Sequence, residues 1–173
     1  MKINIVEFLA GILIFTSLSC ITPRQNLYYD ALNEARDGNI DFAFMKLNNY
    51  LREYPESSRT KGIKFAIAEY HFQIQDYREA IYELSEYIQT YPQDKSAVFA
   101  YALLYKSLLD FDKEPLLVEK IKEQFFSKSL FLMFSDAKIQ HYKSILKNTY
   151  KIAEYVDKIE FFKNDELFLK ITP

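Results

Sequence analysis

A self-similarity with a period of 37 residues constrains this chain more than any other feature. Ala31 recurs as Ala68, Ala43 as Ala80, Leu47 as Leu84, Tyr50 as Tyr87, Leu51 as Ile88, and Tyr54-Pro55 as Tyr91-Pro92. A fixed period in this range marks stacked supersecondary units, none of which can bury its apolar face alone. Three glycines and five prolines in 173 residues are too few for the turns of a sandwich or barrel, so the units are expected to be helical. With 49% hydrophobic residues, the chain can build a packed core.

Each unit reads as two helices. In the first, residues 26–55, helices Asn26–Asp37 and Asp41–Tyr54 flank a turn at Gly38-Asn39. Phe42, Leu47, Tyr50, Leu51 and Tyr54 form the apolar stripe of the second helix, and Pro55 ends it. In the second unit, residues 57–92, Ser57 or Ser58 is the expected N-cap of a helix running to Gln75, with Ile63, Ile67, Tyr70 and Ile74 on one face. Asp76 caps the partner helix, Tyr77–Tyr91, whose stripe is Tyr77, Ile81, Leu84, Ile88 and Tyr91. A worn third unit spans 96–126, with Pro115 in the first turn of its second helix. Ala31 and Ala43, like Ala68 and Ala80, lie 12 residues apart and place one small residue on each helix of a hairpin, so the helices can approach closely.

Beyond residue 126 the repeat fades. Ser135 or Asp136 is placed to cap a last helix carrying Ile139, Tyr142, Leu146, Tyr150 and Ala153, so 127–163 is expected to be a helical extension. Lys143, Lys147 and Lys151 would form a basic stripe on it, read as a solvated face rather than one for phosphate or anionic lipid. Residues 164–173, with Leu167, Leu169 and Ile171 alternating, are expected to dock as an extended tail.

The alanine pairs, the leucines four residues on (Leu47, Leu84) and the prolines twelve on (Pro55, Pro92) resemble the tetratricopeptide repeat. That likeness implies an all-α solenoid of helical hairpins, with the first helix of each hairpin lining a concave groove. Groove positions counted from the alanines are Tyr28 and Arg36, then Phe65, Glu69, Phe72 and Gln73, then Phe99 and Lys106. Tyr28, Phe65, Phe72 and Phe99 are expected to stay open to solvent and receive an apolar, aromatic-rich peptide segment. The alternative is that these aromatics are inter-helix core.

At the N-terminus, Met1-Lys2 precede an apolar run, Phe8–Leu18. That run is shorter than the ~20 residues a ~30 Å hydrocarbon core requires and fits a signal-peptide core over residues 1–19. Thr16-Ser17-Leu18-Ser19-Cys20 resembles a bacterial lipobox, which implies that Cys20, the only cysteine, becomes the lipidated first residue, followed by a tether at 20–25. Ser17 and Leu18 depart from the usual residues of that motif. A plain cleaved signal peptide, an uncleaved anchor helix and an ordinary buried helix are the alternatives. Several acyl chains anchor a protein stably.

The stretch Tyr28–Leu108, through YPESS at 54–58, IAEYHFQIQDYREAI at 67–81, EYIQTYP at 86–92 and AYALLYKSL at 100–108, resembles the outer-membrane assembly lipoproteins of the BamD type. The resemblance implies a lipid-tethered scaffold on the periplasmic side of the bacterial outer membrane. Its implied partners are a barrel-assembly subunit and unfolded β-barrel substrates. Two clear repeats and one worn one are fewer than the five or so of that family. The short array favours a pilotin-like or envelope-coordination lipoprotein, and a structural envelope lipoprotein without a dedicated ligand is the reading from another class.

Catalytic chemistry finds no footing in the sequence. His71 and His141 are the only histidines and read as packing residues, while Glu69, Glu79, Glu83 and Glu86 read as solvated helix positions. One cysteine makes no disulfide and no thiolate zinc site. No Gly-rich loop is present for a nucleotide phosphate, and a net charge of −2 is no footprint for nucleic acid. The expectation is a protein that binds proteins and a membrane, with no enzyme activity, cofactor, metal or small-molecule substrate.

Overall fold

The computed structural model describes residues 23–111, 115–125, 141–155 and 157–172. Cys20, the segment 1–19 and the expected capping residues Ser135 and Asp136 lie outside them. Six helices are described: α1 (Pro23–Arg36), α2 (Ile40–Glu53), α3 (Thr60–Gln73), α4 (Tyr77–Thr90), α5 (Ala97–Phe111) and α6 (Pro115–Phe125). They pair as hairpins α1/α2, α3/α4 and α5/α6, and successive hairpins stack. The first helix starts at Pro23, three residues before the expected start, because proline at the first helical position loses no hydrogen bond.

The 37-residue period is visible in the backbone. The connections at 54–59 and 91–96 carry the same bonds, Ser57 N to Tyr54 O and Thr60 N to Ser57 O, then Asp94 N to Tyr91 O and Ala97 N to Asp94 O. Ala31, Ala43, Ala68 and Ala80 are all fully buried, as close helix approach requires. Gly38 turns the first hairpin in the left-handed region (φ 83°), and Gln75, its counterpart 37 residues on, takes the same region (φ 61°) without glycine's freedom.

Some sequence expectations shift here. Arg59 occupies the N-cap position of α3 with no side-chain cap. Ser57 instead accepts the Arg59 N–H at 3.2 Å, while its hydroxyl meets that of Tyr50 at 2.8 Å. Asp76 does cap α4, accepting from Glu79 N. Phe42 and Ile74, assigned to apolar stripes, are exposed on the outside of the stack.

The helical extension expected over 127–163 is wrong wherever that segment is described. Residues 141–171 form an antiparallel sheet in the order β1 (His141–Lys143), β2 (Thr149–Glu154), β3 (Ile159–Lys163), β4 (Glu166–Ile171). Alternate residues Tyr150, Ile152, Ile159, Phe161, Leu169 and Ile171 are buried on one face and join the helical core. Asn164 and Asp165, both at positive φ, make the two-residue turn between Lys163 and Glu166, a conformation that twists with the strands and tolerates these residues. A bulge on β4 leaves Phe168 unmatched beside Phe161, and its ring packs on the core. The tail is therefore an edge strand. Leu169 and Ile171 dock, and Leu167 faces out. The basic stripe dissolves: Lys143 and Lys151 lie exposed on strands, Lys147 sits in the β1–β2 turn, and Lys151 pairs with Asp165 at 2.8 Å.

Candidate functional site

The inner face of the hairpins, where α3 and α5 run side by side, is filled by the chain's own sheet. Phe65 on α3 and Phe99 on α5 are both fully buried. The Phe65 ring meets Tyr142 edge-on at 5.2 Å and Tyr150 at 6.0 Å between centroids. Phe99 stacks on Tyr142 at 5.9 Å and tilts against Tyr150 at 5.4 Å. Four rings thus interlock in geometries favoured by their quadrupoles. They span two helices and two strands.

One helical turn beyond Phe65 lies Glu69, also fully buried. Its Oε1 accepts from Asn148 Nδ2 at 2.9 Å and from the Tyr150 hydroxyl, whereas Oε2 has no hydrogen-bond partner among the described residues. Burial pushes the Glu69 carboxyl above its ordinary range, against the bonds from Tyr150, Ser144 and Asn148 and the nearby Lys163 cation. Lys163 is pulled down by its own burial, with Glu69 opposing, and its ammonium lies 5.6 Å from the Phe72 ring centroid. Burial and the adjoining Glu69 raise the Tyr150 phenol well above its usual value. Asn148 also accepts from Asn164, tying the β1–β2 turn to the β3–β4 turn. The arrangement is a polar clamp that holds the sheet onto α3, within an aromatic seal.

The eight groove residues thus divide. Phe65, Glu69 and Phe99 are brought together but are closed to solvent, contrary to the expected exposure, because strands β1 and β2 cover them. Phe72 is half-buried against Tyr77, with the Lys163 ammonium over its ring. Tyr28 is half-buried at the far end beneath the Arg59 guanidinium, 4.1 Å above its ring. Gln73 and Lys106 are half-exposed, Lys106 bonded to Asp110, and Arg36 is exposed beside Asp37. Tyr142, Asn148, Tyr150 and Lys163 are site residues the sequence reading missed. Among the expected solvated glutamates, Glu79 is exposed, Glu83 and Glu86 are half-buried, and Glu69 is fully buried. His71 packs edge-on against Phe44 at 5.3 Å.

A second missed device repeats. Tyr87, nearly inaccessible like its counterpart Tyr50, places its hydroxyl 2.6 Å from Ser96 Oγ and donates to Asp94 at 3.2 Å. Each of these tyrosines latches the second helix of one hairpin to the start of the next. Among the described residues no three His, Cys, Asp or Glu side chains converge as metal ligands, and no helix is long and apolar enough to cross a membrane.

A family model described as YfiO, outer membrane lipoprotein, matches residues 22–159, which covers all six helices and strands β1 and β2 and ends at the start of β3. No curated protein and no solved structure matches the chain.

Proposed function

The chain belongs to the YfiO family of outer membrane lipoproteins, and from that premise we propose that it is a lipid-anchored periplasmic scaffold that binds other proteins during assembly of outer-membrane β-barrels. The single observation that carries this reading is the family match, which extends from just past Cys20 through the hairpins into the sheet. Cys20, the only cysteine, is the proposed lipidation site. The proposed partners are a barrel-assembly subunit and unfolded barrel proteins, and the protein acts by binding, without catalysis. Of the groove positions, Tyr28, Arg36, Phe72, Gln73 and Lys106 remain at least partly accessible and are proposed as contacts, while Phe65, Glu69 and Phe99 serve by holding the sheet.

The burial of Phe65 and Phe99 beneath the chain's own strands favours a second reading, a structural envelope lipoprotein without a dedicated ligand. Crosslinking in cells, followed by mass spectrometry, separates the two. Capture of a barrel-assembly subunit supports the scaffold, and recovery of the chain with no reproducible partner supports the structural reading. In the same cells Cys20→Ala should abolish lipid labelling and release the protein from the membrane. Detection of an unmodified chain retaining Met1 would contradict the anchor.

A further inference from the structure

The first helices α1, α3 and α5 each run antiparallel to the helix between them, so their N-terminal ends emerge along one edge of the stack. Tyr28 from α1, Lys61 and Gly62 from α3, and Asp94 and Lys95 leading into α5 line one open cleft of about 630 Å³ on that edge, together with Arg59, Tyr142 and Ile145. Its charges are unevenly matched. Lys61 pairs with Asp94 at 2.6 Å. Burial works against the Asp94 carboxyl, but bonds from Lys61 and Ser96 outweigh it and hold it below its usual range. That leaves Arg59 and Lys95 without a carboxylate among the described residues. Arg59 lies over the rings of Tyr28 and Tyr29, at 4.1 and 5.5 Å, and Lys95 lies 6.0 Å from the Tyr142 centroid. Lys143 at the end of β1 and Lys147 within the β1–β2 turn, both exposed, lie on either side of Ile145 in the chain. Glu56 lies in the adjoining hollow with Ser57, Ser58 and Lys61, so that Arg59, Lys61 and Lys95 face the two carboxylates of Asp94 and Glu56 along the two linings.

The first described residue, Pro23, begins α1 at this same edge. From Cys20 to Pro23 is at most about 11 Å of extended chain, and from Pro23 to Tyr28 about 7.5 Å of helix. Tyr28 is thus held within roughly 18 Å of the residue proposed to carry the acyl chains, and the cleft is confined near the membrane surface. We propose that this cleft binds the phosphate of anionic phospholipid headgroups in the membrane that holds the Cys20 anchor. Arg59 and Lys95 meet the phosphate, the first-helix dipoles add to the positive field, and Tyr28, Tyr29 and Tyr142 sit at headgroup level, where tyrosine's apolar ring and polar tip are both satisfied. The contact fixes how the hairpins stand on the membrane, so that a tethered chain becomes an oriented one. The inference rests on the Cys20 reading given above.

The test uses the full chain recovered from a bacterial host that processes lipoproteins, on vesicles of phosphatidylcholine alone or mixed in equal parts with phosphatidylglycerol, with lysine acetylation read by mass spectrometry. Flotation with phosphatidylcholine vesicles reports the anchor. Lys95 acetylation should slow several-fold on the mixed vesicles relative to phosphatidylcholine, while Lys120 on α6, exposed and not part of the cleft's lining, should not change. High salt should restore Lys95 reactivity, as should Arg59→Glu with helicity intact. A chain that fails to float overturns the anchor and the positioning argument with it. A chain that floats with Lys95 equally reactive on both vesicles overturns the cleft alone. Protection of Lys95 by a soluble glutamate hexapeptide but not by the anionic vesicles would assign the cleft to an acidic peptide and overturn the lipid reading.

Discussion

In the hairpins, one contact is made twice. Tyr50 reaches Ser57, and Tyr87 reaches Asp94, the position 37 residues on, each from the second helix of one unit to the start of the next. In the sheet nothing is made twice. Tyr150 and Asn148 reach back 81 and 79 residues to a single carboxylate. The hairpins are stabilised by short-range order that recurs, so each unit supports its neighbour and the loss of one contact is local. The sheet's seat on α3 and α5 depends on long-range contacts of high closure entropy that occur once. The molecule is therefore most easily cut apart between the repeat and its cover.

The largest expected effect comes from breaking that seat. Phe99→Ala removes a fully buried ring shared by α5, Tyr142 and Tyr150 and should cost ~3–5 kcal/mol. Urea unfolding measures the loss, and near-ultraviolet circular dichroism should show the tyrosines released while far-ultraviolet helicity largely persists. A cost near that of a surface change would mean the sheet does not sit where described. Overpacking within one hairpin is the contrasting case. Ala80→Leu, at a position with no accessible surface, should cost ~1–3 kcal/mol and leave the tyrosine signal in place.

Glu69 probes the join by pH. Its native carboxyl titrates above the ordinary 4.5, so above that pH the folded state binds the proton more tightly than the unfolded one. Stability from this group is full below pH about 4.5 and is lost as pH rises through the native value. Glu69→Gln keeps an acceptor for Asn148 and Tyr150 and removes the charge. The variant should therefore gain stability over the parent at pH 8, with the gap closing toward pH 4, as read by urea midpoints. A gap that does not vary with pH would remove Glu69 as the titrating group.

The smallest effect belongs to the repeat. Gln75→Gly places at φ 61° the residue that its counterpart Gly38 already supplies, and should stabilise by up to ~1 kcal/mol. Thermal unfolding checks the sign, and no gain would mean the turn relaxes without strain.

What the sequence made legible follows the same divide. The period located the hairpins, their alanines and the turn at Gly38, because those contacts lie within one or two units. The sheet was misread because Tyr142, Leu146 and Tyr150 are four apart, a spacing that fits both a helical stripe and alternate positions of strands. Tyr150 with Ile152, Ile159 with Phe161, and the Asn164-Asp165 turn were the arbitrating signals. A further clue was α5 itself. Ala97–Ala100, Ala102–Tyr105, Ser107 and Leu108 are buried, and a helix apolar all round must be covered all round, which an open groove cannot do. No local pattern could pair Glu69 with Tyr150 or Asn148. A glutamate one turn from a phenylalanine reads as solvated until the strand above it is known.

The C-terminal sheet is an integral cover on the inner face of the hairpins. Residue-resolved hydrogen exchange of the full chain, alone and as Phe99→Ala, tests it most directly. In the native protein the β2 and β3 amides should be protected to the level of α5, and in Phe99→Ala those strands should lose protection while α1 and α2 keep theirs. Strand amides that exchange at the rate of unfolded chain in the native protein, with the helices still protected, would contradict it.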